Sequence, residues 1–229
     1  MTTLALPHPP RLVVFDLDGT LVDSIGDIAR SANDALAERY GPEAALPVDT
    51  VRSFVGGGAR LLVLRCLDAL GQPPGHVDEV FDRFLHIYRS RLVETTRLYE
   101  GMREALDVIG RHATLAVLTN KPGVMSRVIV RELGLEGRFH GVVGGDDLAT
   151  RKPDPEGLRH LAARANVRIE DTALVGDSAV DIQTSRNAGA LAIGVLWGYD
   201  RGGVERENHG VRVETPKALA RIFEPARTL

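Results

Sequence analysis

The sequence has almost no cysteine, no long apolar run and no excess of positive charge. Its one cysteine, Cys66, cannot form an internal disulfide, which suits a reducing compartment. The longest apolar stretch, residues 188–198, is interrupted by glycine and is too short to span a bilayer. Residues 1–10 contain three prolines and no long apolar stretch, so we expect no signal peptide. These absences favour a cytoplasmic protein with no membrane partner.

The charge balance excludes a further class of partner. The chain carries 28 Lys and Arg against 31 Asp and Glu, a formal net charge of −3. General affinity for nucleic acid requires a basic surface, so no nucleic-acid partner is expected. With 44% hydrophobic and 26% charged residues over 229 positions, the composition is that of a globular protein. The length allows one large domain or two smaller ones.

Short β-branched runs that end in polar residues recur along the chain. Such runs, bounded by turn residues, are typical of strands buried on both faces of a parallel sheet. The predicted strands are residues 12–16, 115–119, 142–143, 173–177 and 191–196. Helical patterns alternate with the later strands, at residues 122–133 and again after Asp154 (N-cap) and Pro155 (first helical residue). The alternation predicts an open α/β sheet with ligands at the carboxyl ends of its strands.

One interval, between the first two predicted strands, breaks this alternation. A βαβ unit takes about 30 residues, and this interval is much longer. Apolar residues recur at helical spacing in residues 24–40, 60–70 and 77–92. No strand pattern lies between them. We therefore predict a small helical domain at residues 22–92, inserted into a core formed by residues 1–21 and 93–229.

The first predicted strand leads into an acidic turn, Asp16-Leu17-Asp18-Gly19-Thr20. Carboxylates at positions i and i+2 of an extended chain project to the same side. Two such charges resist joint ionisation unless a cation or a shared proton offsets them. This favours one carboxylate as nucleophile and metal ligand and the other as proton donor and acceptor. An ordinary strand that enters an Asp-Gly turn explains the same residues, so this segment alone leaves both interpretations open.

A second acidic pair follows the predicted strand at 173–177. Ser178 is placed to cap the next helix, and Asp181, three residues later, occupies the position of a capping-box acid. Capping explains Asp181 as well as metal binding does, but it does not explain Asp177, a charge at the end of an apolar strand. Magnesium prefers oxygen ligands and usually takes one or two carboxylates. Asp16 and Asp177 on neighbouring strand ends would suit it.

Two further segments could complete a phosphate site. Thr119 and Asn120 end the strand at 115–119, where a hydroxyl and an amide could hold phosphoryl oxygens. Lys152 is followed by Pro153 and Pro155, which restrict the backbone around it. A surface lysine is the alternative for Lys152 taken alone. The combination of four such segments, each after a predicted strand, favours a phosphate site.

Together these segments resemble the haloacid dehalogenase-like superfamily. The matching motifs are Asp-x-Asp-Gly-Thr at 16–20, a strand-end threonine at 119, Lys-Pro-x-Pro from 152 and Gly-Asp-Ser-x-x-Asp at 176–181. The resemblance covers nearly the whole chain. It implies a Rossmann-like parallel-sheet core and makes the inserted helices a small α-helical cap domain.

The resemblance also implies a mechanism, that of a magnesium-dependent phosphatase with a covalent aspartyl-phosphate intermediate. Asp16 would be the nucleophile and Asp18 the general acid and then base. Thr119 and Lys152 would hold the phosphoryl group. The implied Mg²⁺ ligands are Asp16, the Asp18 backbone carbonyl and Asp177, with Asp181 assisting.

Within the superfamily, residues 54–60, 119–122 and 194–199 resemble segments of phosphoglycolate phosphatases. The expected partner is accordingly a small phosphorylated metabolite, foremost 2-phosphoglycolate, which would be hydrolysed to glycolate. Arg60, just after a run of glycines, is the candidate for binding a substrate carboxylate, although a solvated cation in the first turn of a helix explains it equally. Either a monomer or a homodimer is expected.

Three alternatives remain. A sugar-phosphate phosphatase, a pyrophosphatase or a phosphomutase would share all four motifs. A receiver-like signalling module also uses a strand-end Asp, a Thr and a Lys around magnesium, but it needs neither a cap nor Asp18. A binding protein that has lost activity is disfavoured, because no proposed catalytic position is substituted.

Overall fold

A computed structural model describes residues 8–207 and 210–224 of the chain. The first seven residues, part of the segment for which no signal peptide is expected, lie outside this description. Within the described ranges, no helix has both the length and the apolar character needed to cross a bilayer.

The described residues form a six-stranded sheet and a two-stranded ribbon. The strands are β1 (Leu12–Phe15), β2 (Val22–Asp23), β3 (Arg97–Leu98), β4 (Thr114–Leu118), β5 (Val142–Val143), β6 (Thr172–Gly176), β7 (Leu191–Val195) and β8 (Val211–Val213). The sheet is parallel throughout, with the order β5-β4-β1-β6-β7-β8, and β2 pairs with β3 antiparallel. The predicted α/β class is confirmed.

Ten α-helices accompany these strands in the described part of the chain. They are α1 (Ile25–Tyr40), α2 (Val48–Phe54), α3 (Ala59–Ala69), α4 (Val77–Arg89), α5 (Met102–Ile109), α6 (Gly123–Glu132), α7 (Glu156–Arg164), α8 (Ala179–Ala188), α9 (Arg201–Arg206) and α10 (Pro216–Arg221). Helices α1 to α4 follow one another between β2 and β3, without a strand among them.

Strand β1 lies at the centre of the sheet, and this decides where a ligand can bind. Its side chains alternate between two apolar clusters: Val13 and Phe15 face one, Leu12 and Val14 the other. All four are fully buried, as expected for a strand covered by helices on both faces. β1 pairs with β4 on one side and with β6 on the other, and the later strands extend the sheet in both directions from β1. Such a reversal of strand order opens a crevice at the carboxyl ends.

The helical insert is attached by a short ribbon and a buried carboxylate. Val22 pairs with Leu98 across β2 and β3, within the two segments that join α1–α4 to the sheet. Asp27 of α1 is fully buried and accepts hydrogen bonds from the backbone N–H and the hydroxyl of both Thr95 and Thr96. These bonds fix the start of α1 against the chain that returns to the sheet.

The strand ends differ from the prediction by one residue. Asp16, Thr119 and Asp177 each lie just beyond a strand rather than at its last position. Asp16 and Thr119 still donate their N–H groups to the neighbouring strands, to Val175 O at 2.9 Å and Val143 O at 3.0 Å. The difference is therefore one of where a strand is considered to end.

Two local predictions are wrong. Pro155 is the N-cap of α7, not its first residue, and Asp154 Oδ1 accepts the N–H of Glu156 at 2.9 Å from outside the helix. Charged residues recur at 201–207, and this pattern predicts a solvated loop, but the segment contains helix α9. The Asp200 side chain accepts the N–H of Gly203 at 2.8 Å and caps α9, whereas Gly202 and Gly203 argue against a helix in the sequence.

Candidate active site

The crevice at the centre of the sheet collects the strand-end residues predicted from the sequence. Asp16 follows β1, Thr119 follows β4 and Asp177 follows β6, while Lys152 lies in the loop before α7. These four polar residues are all buried. Buried charges are stable only when paired or metal-bound, so their partners define the site.

Lys152 joins the nucleophile candidate to the capping residue of α8. Its Nζ lies 2.9 Å from Asp16 Oδ1 and 2.6 Å from Asp181 Oδ1. Burial alone would lower the pKa of Lys152, but the charges of Asp16 and Asp181 outweigh it and raise the pKa above its usual value. The lysine therefore stays a cation and is aimed at the Asp16 carboxylate.

Asp181 performs the capping role that the sequence suggested. Its Oδ2 accepts the N–H of Ser178 at 3.2 Å and the Ser178 hydroxyl at 2.6 Å, and its own N–H points back to the Ser178 hydroxyl. The capping box is thus confirmed. Its other oxygen faces Lys152, so one residue both begins α8 and holds the lysine.

The backbone of two loops, at Gly19 and at Gly198, approaches the Asp177 carboxylate closely. Asp177 accepts the Thr20 hydroxyl at 3.1 Å and the N–H of Tyr199 at 2.7 Å. A side chain at Gly19 (φ +85°) or at Gly198 would overlap the Asp177 carboxylate. Two loops therefore meet over this aspartate because glycine leaves them room.

Three carboxylates crowd one another at this point. One oxygen of each of Asp16, Asp177 and Asp181 lies within 4.8 Å of the others. Burial, then the charges of Asp16 and Asp181, raises the pKa of Asp177 to about 8. Burial also raises the pKa of Asp16 to about 6; Lys152 opposes this and Asp181 adds to it. One lysine does not balance three acids.

The cluster fits a metal ion by its donor set. Hard divalent cations take carboxylate oxygens, and the three aspartates supply them. Asp16 Oδ1 is buried and has no hydrogen bond of good geometry within the described chain, although Lys152 lies nearby. A cation would satisfy that oxygen and offset the excess negative charge. The three aspartates could therefore hold a metal.

Asp18, two residues after Asp16, points to a different set of partners. Its Oδ1 accepts the Ser24 hydroxyl at 2.5 Å, and both of its oxygens lie 3.0 Å from Lys121 Nζ. Asp18 and Asp16 both line one cavity. The two aspartates therefore have different surroundings: Asp16 lies among carboxylates, and Asp18 lies beside a cation.

Asn120 has a structural task that the sequence did not indicate. Its two amide hydrogens go to Gly56 O and Lys152 O, each at 3.0 Å. Asn120 thereby ties the glycine-rich turn after α2 to the Lys152 loop. Holding a phosphoryl oxygen with the same amide would require one of these bonds to break. Thr119, by contrast, lines the cavity beside Asp16.

Arg60 is not brought to the other candidates. It lies in the first turn of α3, is about half exposed, and pairs with Asp78 at 2.7 Å. It is absent from the cavity wall that contains Asp16 and Asp18. Its surroundings match the alternative given for Arg60 from the sequence, a solvated cation in the first turn of a helix.

The comparison with protein families decides the ancestry of this site. A family model described as haloacid dehalogenase-like hydrolase matches residues 13–195, which include all the strand-end residues. The chain belongs to that family.

Relatives of this hydrolase agree in name and fold. It is 34% identical over 216 residues to a phosphoglycolate phosphatase of Pseudomonas syringae pv. tomato, covering 92% of this chain and 78% of the relative. It is 36% identical over 191 residues to a phosphoglycolate phosphatase of Agrobacterium fabrum, covering 82% and 81%. The crystal structure of a predicted phosphoglycolate phosphatase from Haemophilus somnus superposes with a TM-score of 0.87 at 27% identity, covering 95% of this chain and all of that one. The enzyme class is that of a phosphatase.

The cavity of this hydrolase lies between the strand ends and the inserted helices. Its volume is about 50 Å³, room for a few water molecules. The floor contains Asp16, Asp18 and Thr119. The apolar wall is formed by Ile28 of α1, Leu62 of α3, Phe84 of α4 and Met125 of α6.

Sequence reasoning missed several residues of the site. Lys121 and Tyr199 contact Asp18 and Asp177, and Tyr88 of α4 accepts a hydrogen bond from Lys121. Lys121 directly follows Thr119-Asn120, and Tyr199 ends the segment 194–199. Both lie in segments that resemble phosphoglycolate phosphatases, so the resemblance could have pointed to them as site residues. No sequence pattern could have pointed to Tyr88, because its place on the apolar face of a helix also fits an ordinary core residue.

Proposed function

We propose that this hydrolase is a magnesium-dependent phosphatase that converts 2-phosphoglycolate, or a small phosphate ester like it, to the alcohol and inorganic phosphate. The observation that carries the proposal is the buried Asp16 carboxylate, with Lys152 Nζ 2.9 Å away and Asp18 on the same cavity wall. Relatives named phosphoglycolate phosphatase, at 34–36% identity, support the choice of substrate. The small cavity favours a small leaving group.

In the first step, an Asp16 carboxylate oxygen attacks phosphorus while the bond from phosphorus to the leaving oxygen breaks. Asp18 gives its proton to that oxygen, which therefore departs as a hydroxyl group, and Asp16 carries the phosphoryl group. The Lys152 ammonium and the Thr119 hydroxyl stabilise the charge that develops on the phosphoryl oxygens. Asp181 keeps Lys152 in place.

In the second step, Asp18 takes a proton from water as that water attacks the same phosphorus. The bond between phosphorus and Asp16 breaks, inorganic phosphate leaves and both aspartates return to their starting forms. Asp181 contributes by position, since one oxygen caps α8 and the other bonds Lys152. Asn120 supports the loop that carries Lys152.

Magnesium would be held by Asp16, Asp177 and the Asp18 backbone carbonyl, with Asp181 in support. Bound there, it would supply positive charge for the phosphoryl oxygens. The crowding of Asp16 and Asp177, whose pKa values burial and mutual charge raise, supports this assignment.

The inserted helices would act as a lid. We place this cap domain at residues 22–92, between hinge segments that contain β2 and β3. Apolar side chains from α1, α3 and α4 already form one wall of the cavity. Closure of such a lid excludes bulk water from the phosphoryl group and brings the cap against the leaving group.

Phosphate release tests the proposal. The chain is assayed with 2-phosphoglycolate, pyrophosphate and several sugar phosphates, with magnesium and after chelation by EDTA. We expect magnesium-dependent release that is fastest with 2-phosphoglycolate and is lost in Asp16→Asn. Isomerisation of a hexose phosphate would point to a mutase instead. A stable phosphorylated chain without turnover would point to a receiver-like module.

A further inference from the structure

A second buried lysine, Lys121, lies in the cavity and takes no part in the phosphoryl chemistry proposed above. Its side chain is 5% exposed. Its Nζ lies 3.0 Å from each Asp18 oxygen, 2.5 Å from the Tyr88 hydroxyl and 4.5 Å from the centre of the Tyr88 ring. A lysine is rarely buried without a strong reason, and here its one carboxylate partner is the proton donor itself.

Lys121 also holds the group that must reach the leaving oxygen. Its ammonium lies 3.0 Å from both Asp18 oxygens, so it keeps the Asp18 carboxylate turned toward itself. A carboxylate on the substrate would give the ammonium a second anionic partner. With Lys121 shared in this way, one Asp18 oxygen is free to turn to the leaving oxygen.

Apart from Lys152, which Asp16 and Asp181 hold, the described residues of the cavity offer a carboxylate no other cation. Lys121 is the single cation among the residues that line it in the described part of the chain. The wall opposite the strand ends is apolar, formed by Ile28, Leu62 and Phe84. Arg60, the residue that the sequence suggested for this role, pairs with Asp78 instead.

We propose that Lys121 is the specificity-determining residue that binds a carboxylate on the leaving group, in competition with Asp18. The inference rests on the proposed phosphatase function and names the chemical class of its substrate, a phosphate ester of a small hydroxy acid. Tyr88 of α4 holds the ammonium from the cap side, so the lid contributes to the same subsite.

The kinetic test compares two esters that differ in one group. Ethyl phosphate has a methyl where 2-phosphoglycolate has a carboxylate. In the wild type we expect kcat/KM to favour 2-phosphoglycolate, and Lys121→Met to reduce this preference by about 10- to 100-fold, the usual range for a charge-assisted hydrogen bond. Lys121→Arg should keep part of the preference. Lys217→Met, the same change on an exposed lysine of α10, should leave it unaltered.

A binding experiment separates the subsite from the chemistry. Titration calorimetry with 3-phosphonopropionate and propylphosphonate, which cannot be hydrolysed as phosphate esters, should show tighter binding of the carboxylate compound. That difference should vanish in Lys121→Met, with circular dichroism as the check of folding. If Lys121→Met fails to fold, the inference is tested on Lys121→Gln.

The outcomes separate this inference from the proposed function. The role of Lys121 is overturned if the wild type shows no preference for the carboxylate compound of either pair, or if Lys121→Met keeps that preference. The phosphatase assignment is left standing by both results. Loss of the preference in Arg60→Ala, with Lys121→Met unaffected, overturns it in favour of Arg60. Absence of any Asp16-dependent phosphate release would overturn the phosphatase function, while the phosphonate titration would still decide whether Lys121 binds a carboxylate.

Discussion

Asp27 and Asp177 are both buried aspartates, yet their surroundings act on them in opposite directions. Burial alone would raise the pKa of Asp27, but hydrogen bonds from Thr95 and Thr96 outweigh it and lower the pKa below its usual value. Asp177 accepts two hydrogen bonds and faces Asp16 and Asp181, and its pKa rises to about 8. Asp27 is fully satisfied by the chain. Asp177 and its neighbours form a crowded acidic cluster that could hold a further cation. The comparison distinguishes a carboxylate satisfied by the chain from one that is left with excess negative charge around it.

The largest expected effect is on turnover. Asp16→Asn removes the proposed nucleophile, and we expect kcat for phosphate release to fall at least about 1000-fold. The fold should survive, because the change removes one charge from a crowded acidic cluster. Phosphate release and urea unfolding measure the two properties. Retention of wild-type rates would contradict the assignment of Asp16 as nucleophile.

The next effect concerns the metal. Asp177→Asn removes one carboxylate from the cluster, and we expect Mg²⁺ to bind at least about tenfold more weakly. In the wild type, Mg²⁺ should raise the melting temperature, because a ligand bound only to the folded state stabilises it. This shift should shrink in Asp177→Asn and persist in Asp27→Asn. An equal shift in all three proteins would mean that Mg²⁺ does not bind at the cluster.

A smaller effect, on stability alone, is expected at Asp27. Asp27→Ala leaves the N–H and hydroxyl groups of Thr95 and Thr96 without their acceptor. We expect the free energy of unfolding to fall by about 2–4 kcal/mol, measured by urea denaturation. The deficit should depend on pH, because the folded-state pKa of Asp27 lies below its usual 3.8. Its stabilisation is then present above pH 3.8 and is lost as the pH falls through the folded-state pKa. A deficit that stays constant down to pH 2 would contradict this account.

The sequence contained much of the fold and of the acidic cluster. Strand-end residues could be predicted because β-branched runs mark strands buried on both faces, and parallel strands end at one edge of the sheet. Lys121 and Asp18 could not be paired in this way. They are separated by 103 residues. Periodicity predicts which face of a helix or strand a residue occupies, but it does not predict which residue of another element that side chain contacts. The same limit hid Tyr88 and the ion pair between Arg60 and Asp78.

The smallest effect is expected at Arg60. Arg60 and Asp78 form an exposed ion pair, and such pairs contribute little because water and salt screen them. Arg60→Ala should therefore change the free energy of unfolding by less than about 1 kcal/mol. Its kcat/KM for 2-phosphoglycolate should stay within about threefold of wild type, against the 10- to 100-fold loss of substrate preference expected for Lys121→Met. If Arg60→Ala raises KM for 2-phosphoglycolate and spares ethyl phosphate, then α3 moves over the cavity during turnover and carries the carboxylate site with it.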